Sequence, residues 1–403
     1  MTSTALKLAF AAAGLAVTLE VSAQEASTAA DFRPFQISFV PTLGTNGFLS
    51  NKIENGVSIN IIAGTSKGVR WAEIGGVANM VKGNVGGAQF AGVVNLTSGN
   101  VNGGQFAGVL NTSQRVTGAQ ASGVANIAKG NIKGLQMAGV TNTAHNIIGA
   151  QDAGVYNQAD SVVGGQLAGI ANIAKTVKGV QAAGVFNSSK TTKGIQAAGV
   201  ANVSDKVDGL QMAGILNKAR VVKGVQFGLV NLSDSCSGLP IGLVSIVRTG
   251  YSQIELGTDD MLMANVAYRS GVKKLHTIVG ASILPDNSST VIWGTTFGIG
   301  TSHNLSPRTL LDADLMYSQI ICNDKFSHDN KLFRAYIGID RHIFGKMSLA
   351  AGITANALVY STSSTDNVHH MKQLVPYTMI SEKINSRNHL AGWIGGRVAI
   401  RIN

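Results

Sequence analysis

Ten glutamines at near-constant spacing limit what this chain can fold into more than any other feature. Gln89, Gln105, Gln120, Gln136, Gln151, Gln166, Gln181, Gln196, Gln211 and Gln226 follow one another at 15 residues, with two steps of 16. Each sits third in the phrase G-x-Q-x-A-G-V-x-N or a close variant of it, as in "GVQAAGVFN" at 179–187 and "GIQAAGVAN" at 194–202. The asparagine that closes the phrase recurs as Asn95, Asn111, Asn126, Asn142, Asn157, Asn172, Asn187, Asn202 and Asn217. A unit this short falls below the size of any helical-hairpin repeat. Its two fixed glycines and its alternating apolar residues also exclude a helix. What remains is β structure, either one strand and turn per unit or one coil of a solenoid per unit.

Side chains alternate across a strand, so each unit divides into two faces. Val177, Gly179, Gln181, Ala183, Val185 and Asn187 form a face that hardly changes from copy to copy. On the other face, the position after glutamine drifts through Phe90, Phe106, Ala121, Met137, Asp152, Leu167, Ala182, Ala197 and Met212. A packed core is sensitive to single methylenes, whereas liquid lipid asks only for apolarity. The drifting face therefore reads as lipid-facing, with Asp152 as the objection, because a charge facing hydrocarbon is costly. Lys129, Lys175, Lys190 and Lys218 fall in the turns and leave nearly uncharged strands between them. Their length of about 9 to 11 residues suits a tilted bilayer crossing, which requires a closed barrel.

The leading expectation is thus an all-β outer-membrane barrel with the repeats as successive strands. The rival is a β-solenoid of 15-residue coils followed by a C-terminal barrel of about eight strands. In the solenoid, identical residues stack about 4.8 Å apart, and the glutamine and asparagine columns become hydrogen-bonded amide ladders. Between Gln226 and Asn231 one residue is missing, which in a strand calls for a bulge or a change of face.

The flanks extend the β pattern. Lys7, the apolar run from Leu8 to Leu19 and the small residues of Val21-Ser22-Ala23 read as an export signal over 1–23. Segment 24–79 holds strands that grade into the array, with Glu73 at the place of the first glutamine. The array spans 80–246, and 247–403 reads as barrel-like hairpins with Trp293, Tyr317, Phe333, Tyr336, Phe344, Tyr360 and Trp393 near strand ends.

The phrase G-x-Q-x-A-G-V-x-N, the entry "SINIIAGTSKGVRWAEIGGVAN" and the exit "GLPIGLVSIVRTGYSQIELGTDDMLMANVAYRSGVKKLHTI" resemble the surface-repeat outer-membrane proteins of Bacteroidetes and, with a shorter repeat, of Leptospira. The resemblance implies an outer-membrane or surface location. It brings no reaction and no catalytic residues.

Net charge is +11, a balance that suits nucleic acid or anionic lipid. Export removes nucleic acid and leaves outer-membrane lipid or lipopolysaccharide as the expected partner, with any protein partner unspecified. Cys236 and Cys322 are far apart and are expected as unpaired thiols. His369-His370 sits in a polar stretch read as an exposed loop, and Asp259-Asp260 reads as a solvated acidic pair. No nucleophile elbow, phosphate loop or zinc-protease motif occurs, so no catalytic residue, cofactor or metal is expected. The functional expectation is a non-enzymatic structural or surface-interaction role. Alternatives are a passive outer-membrane channel and a surface adhesin with a projecting solenoid.

Overall fold

The computed structural model of the protein describes residues 31–261, 264–285, 291–322 and 325–403. The expected export signal lies outside the described residues. Two all-β units follow one another: a solenoid of about 13 turns and a closed eight-stranded barrel.

The repeats do not cross a barrel as successive strands. They pair in parallel, coil on coil, with Asn172 opposite Asn187 and Gln181 opposite Gln196. Parallel strands of one sheet need a long connection between them, and here the remainder of each coil supplies it. Fifteen residues are therefore one full circuit, not a strand and a hairpin turn.

Within the coil that contains Gln166, the buried side chains are Gln166, Asn172, Ala174 and Val177, and the next coil opens on buried Gln181. Three of these steps are even and preserve strand alternation, but the three-residue step from Ala174 to Val177 reverses it. The chain turns there, and exposed Lys175 sits on the outside of the bend. A second bend at Gly184-Val185 interrupts the invariant face expected from the sequence. Val177, Gln181 and Asn187 point inward, whereas Val185 is 41% exposed. The third bend is at Gly179, where φ is +133°. A Cβ on that glycine would stand 2.1 Å from the carbonyl oxygen of Gly164 in the coil before, so no other residue fits. The residue missing after Gln226 is absorbed at the bend, because Asn217 still pairs with Asn231 and Leu216 with Val230.

Three residues after the last solenoid strand, Val244–Val247, the barrel begins with Tyr251–Asp259. Its other strands are Ala264–Val272, Leu275–Pro285, Val291–Ser306, Thr309–Cys322, Lys325–Phe344, Met347–Ser361 and Asn388–Ile402. All neighbours are antiparallel, and the first strand closes on the last through pairs such as Leu256 with Ile400. The last solenoid coil packs against the first strands of the barrel.

Candidate functional site

Inside the solenoid the two amide columns hold the coils in register. Gln196 Nε2 donates to Gln181 Oε1 at 2.8 Å, and Gln211 Nε2 donates to Gln196 Oε1 at 3.0 Å. The same bond links Gln105 to Gln89, Gln120 to Gln105, Gln136 to Gln120, Gln151 to Gln136, Gln166 to Gln151 and Gln181 to Gln166. Asparagines donate the other way: Asn187 Nδ2 reaches Asn202 Oδ1 at 3.0 Å, the carbonyl of Ala197 at 2.5 Å and that of Gln181 at 3.3 Å. Asn111, Asn142, Asn172 and Asn202 likewise bond the glutamine carbonyl of their own coil and so tie it to the next coil. The column runs from Asn79 through Asn95, Asn111, Asn126, Asn142, Asn157 and Asn172 to Asn202, Asn217 and Asn231. A buried amide without a partner would cost about 1–3 kcal/mol, so identical neighbours satisfy one another economically.

Each glutamine donates to the coil before it, so the first rung of the column has to accept, and Glu73 occupies that position. Its carboxylate accepts from Gln89 at 2.7 Å and from Asn60 at 3.0 Å. Burial pushes this carboxyl up to about 7, opposed by the hydrogen bonds from Gln89, Asn60 and Ser58. Asn60 also stands in for a missing asparagine rung. The column position before Asn79 is Gly64, and Asn60 Nδ2 fills it to donate to Asn79 Oδ1 at 2.8 Å. At the far end Gln226 faces Pro240, which has no donor to offer, and Gln226 Oε1 is left without a hydrogen bond. Asn60 lies outside the repeat phrase, so spacing alone did not reveal its role.

Outside, the drifting column forms a shallow apolar groove along the coil-stacking direction. Phe90, Phe106, Met137, Leu167, Met212 and Phe227 rise from a floor of alanine and glycine, and the rings of Phe90 and Phe106 stack at 5.1 Å. Asp152 divides the groove and is exposed, an arrangement that suits water and not hydrocarbon at this point. The groove is the solenoid's best-formed candidate for binding another molecule.

Barrel polarity is reversed. Outward side chains include Ile254, Leu256, Leu315, Ile337, Ile353, Val398 and Ile400, all substantially exposed. The lumen toward the solenoid holds an ion-pair lattice centred on Glu255, which accepts from Arg269 at 2.7 Å, Arg397 at 2.6 Å and Arg401 at 2.7 Å. Arg269 continues to Asp314 at 2.5 Å, and Arg401 to Asp340 at 3.0 Å and to Asp312. Toward the other end the lumen becomes apolar, with Ile320, Leu332, Leu358 and Trp393 packed beneath Met371 and Leu374 of the helix Thr365–Leu374. Sequence reasoning missed the lattice, although arginine alternating with aliphatics in "RVAIRI" (397–402) was its visible trace.

Two expectations are corrected here. His369-His370 lies on that helix, not in a loop, with His369 Nε2 and Gln373 Nε2 3.0 Å apart. Asp259-Asp260 is not a solvated pair: Asp259 accepts from Arg334 at 2.6 Å, and Asp260 accepts from the Trp393 indole. Both acids lie where the first barrel strand ends over the lumen, so inward groups claim them. Cys236 and Cys322 are both free thiols, one in the last coils and one in the barrel. Among the described residues no cluster of three or more His, Cys, Asp or Glu is placed to hold a metal ion. Comparison with protein-family models, with curated proteins and with solved structures finds no match for this chain.

Proposed function

We propose that the chain is a non-enzymatic outer-membrane protein in which the barrel is the anchor and the solenoid is a rigid interaction scaffold. The observation that carries this reading is the barrel's inverted polarity. Charged residues such as Glu255 and Arg401 are buried, while Ile337, Ile353 and Val398 are 62%, 65% and 48% exposed. In water such a belt would forfeit about 25 cal/mol per Å² of apolar surface, and a contiguous belt of this kind favours a lipid partner. The export-like N-terminus and the resemblance to surface-repeat proteins point the same way. Lysines and an arginine in the exposed turns, Lys273, Lys274, Arg308 and Lys346, suit the phosphates of lipid headgroups.

The passive-channel reading loses support from the occupied lumen. An eight-stranded barrel is just wide enough for side chains to fill. The Glu255 lattice and the apolar cluster under the helix fill this one, so no conductance is expected in planar bilayers. The apolar groove of the solenoid is the surface we assign to interaction.

Fractionation tests the reading. The full chain should stay with outer membranes through alkaline and urea washes, and it should migrate faster in SDS before boiling than after. Release by the alkaline wash as a detergent-free soluble protein would sink it.

A further inference from the structure

An even number of strands puts both ends of a barrel at one rim. The first strand starts at Tyr251 and the last ends at Ile402, and their antiparallel pairing brings those ends together. The solenoid joins this rim directly through residues 248–250. The rim's three other connections, 273–274, 307–308 and 345–346, have two residues each. The opposite rim carries connections of 4, 5, 2 and 26 residues. The longest holds the helix Thr365–Leu374, which closes that mouth with buried Met371 and Leu374.

An exported chain reaches the outer membrane from the periplasm, so whichever rim ends outside has to be carried across hydrocarbon. For the helix-bearing rim this means four connections. For the other rim it means the entire solenoid with its buried amide ladders and its lysine-bearing bends. The lumen offers no route, because Glu255, Arg269, Arg397 and Arg401 occupy it. Short turns inside and longer loops outside are also the general asymmetry of such barrels. We infer that the solenoid hangs on the periplasmic side of the outer membrane and that only the helix-bearing rim reaches the cell exterior. The inference rests on the barrel being a membrane anchor. It removes the projecting-adhesin reading.

The test uses the full chain with Cys236→Ala and Cys322→Ala, carrying either Lys175→Cys on an exposed solenoid bend or Asp366→Cys on the exposed side of the helix. Intact cells are treated with a polyethylene-glycol maleimide too large for porins, before and after the outer membrane is permeabilised. Heat-modifiable migration like the parent's identifies folded variants. The expected result is labelling of Asp366→Cys in intact cells and of Lys175→Cys only after permeabilisation. Labelling of Lys175→Cys in intact cells, or failure of Asp366→Cys to label there, overturns the inference while leaving the anchor in place. Release of the protein by alkaline wash overturns the anchor reading and the inference with it.

Discussion

In the solenoid the repeated inward polar side chain is a neutral amide whose partner is the same residue one coil away, as Gln196 is to Gln181. In the barrel it is a charge whose partner stands far off in sequence, as Arg401 is to Glu255 across 146 residues. The difference follows from geometry. Parallel coils in register offer every side chain an identical neighbour, and an amide, being donor and acceptor at once, can pair with itself. A charge cannot, so a column of arginines would repel where a column of glutamines binds. The closed barrel brings unlike strands together and can match unlike charges. The solenoid should therefore behave as a row of nearest-neighbour interfaces, and the barrel as one cooperative network.

The largest expected effect is in the barrel. Glu255→Gln removes the carboxylate that three arginines share and leaves their charges buried, so unfolding of the refolded protein in lipid vesicles should become easier by about 3–5 kcal/mol. The solenoid should keep its protease resistance in that variant. Next, Gly179→Ala forces a Cβ against a backbone carbonyl at a φ of +133°. The cost should be roughly 3 kcal/mol, read as new proteolytic sites in the neighbouring coils with barrel migration in SDS unchanged.

Glu73 makes the solenoid's N-terminal coils sensitive to pH. Its folded value of about 7 lies above the ordinary 4.5, because burial disfavours the charged form. The favourable contribution is thus complete below the ordinary value and is lost as pH rises toward 7, by up to about 3 kcal/mol. Thermal melting of Glu73→Gln followed from pH 4 to pH 8, a window spanning about 4 units, should be flat where the parent declines. Asn187→Ala breaks one rung and leaves the Asn172 donor without its acceptor, so a loss of about 2 kcal/mol is expected by denaturant melting. Smallest of all, Phe106→Ser on the outer column should cost no more than about 1 kcal/mol, because the ring is partly exposed and gives up mainly its stacking on Phe90.

Much of this was legible in the sequence. The constant spacing of glutamine and asparagine gave the all-β class and the two columns, and the alternating C-terminal runs gave hairpins. Pairing direction was not legible, because an in-register parallel coil and an antiparallel strand place Gln181 and Asn187 on one side equally well. The bend at Gly184-Val185 also leaves no break in the alternation of residue types, so Val185 read as inward. Asp152 was the one residue that spoke against lipid, and its exposure on the solenoid explains why it is tolerated. The Glu255 lattice stayed hidden because its members come from five strands, and Asp259-Asp260 read as a loop because Arg334 and Trp393 lie far along the chain.

The central claim is that lipid covers the outside of the barrel and not the outside of the solenoid. Its most direct test places an environment-sensitive fluorophore on Ile337→Cys or on Leu167→Cys, in a background without Cys236 and Cys322, in vesicles that contain brominated lipid. Blue-shifted, quenched emission at 337 with unquenched, water-like emission at 167 is the predicted result. Water-like emission at 337, or equal quenching at both positions, would contradict it.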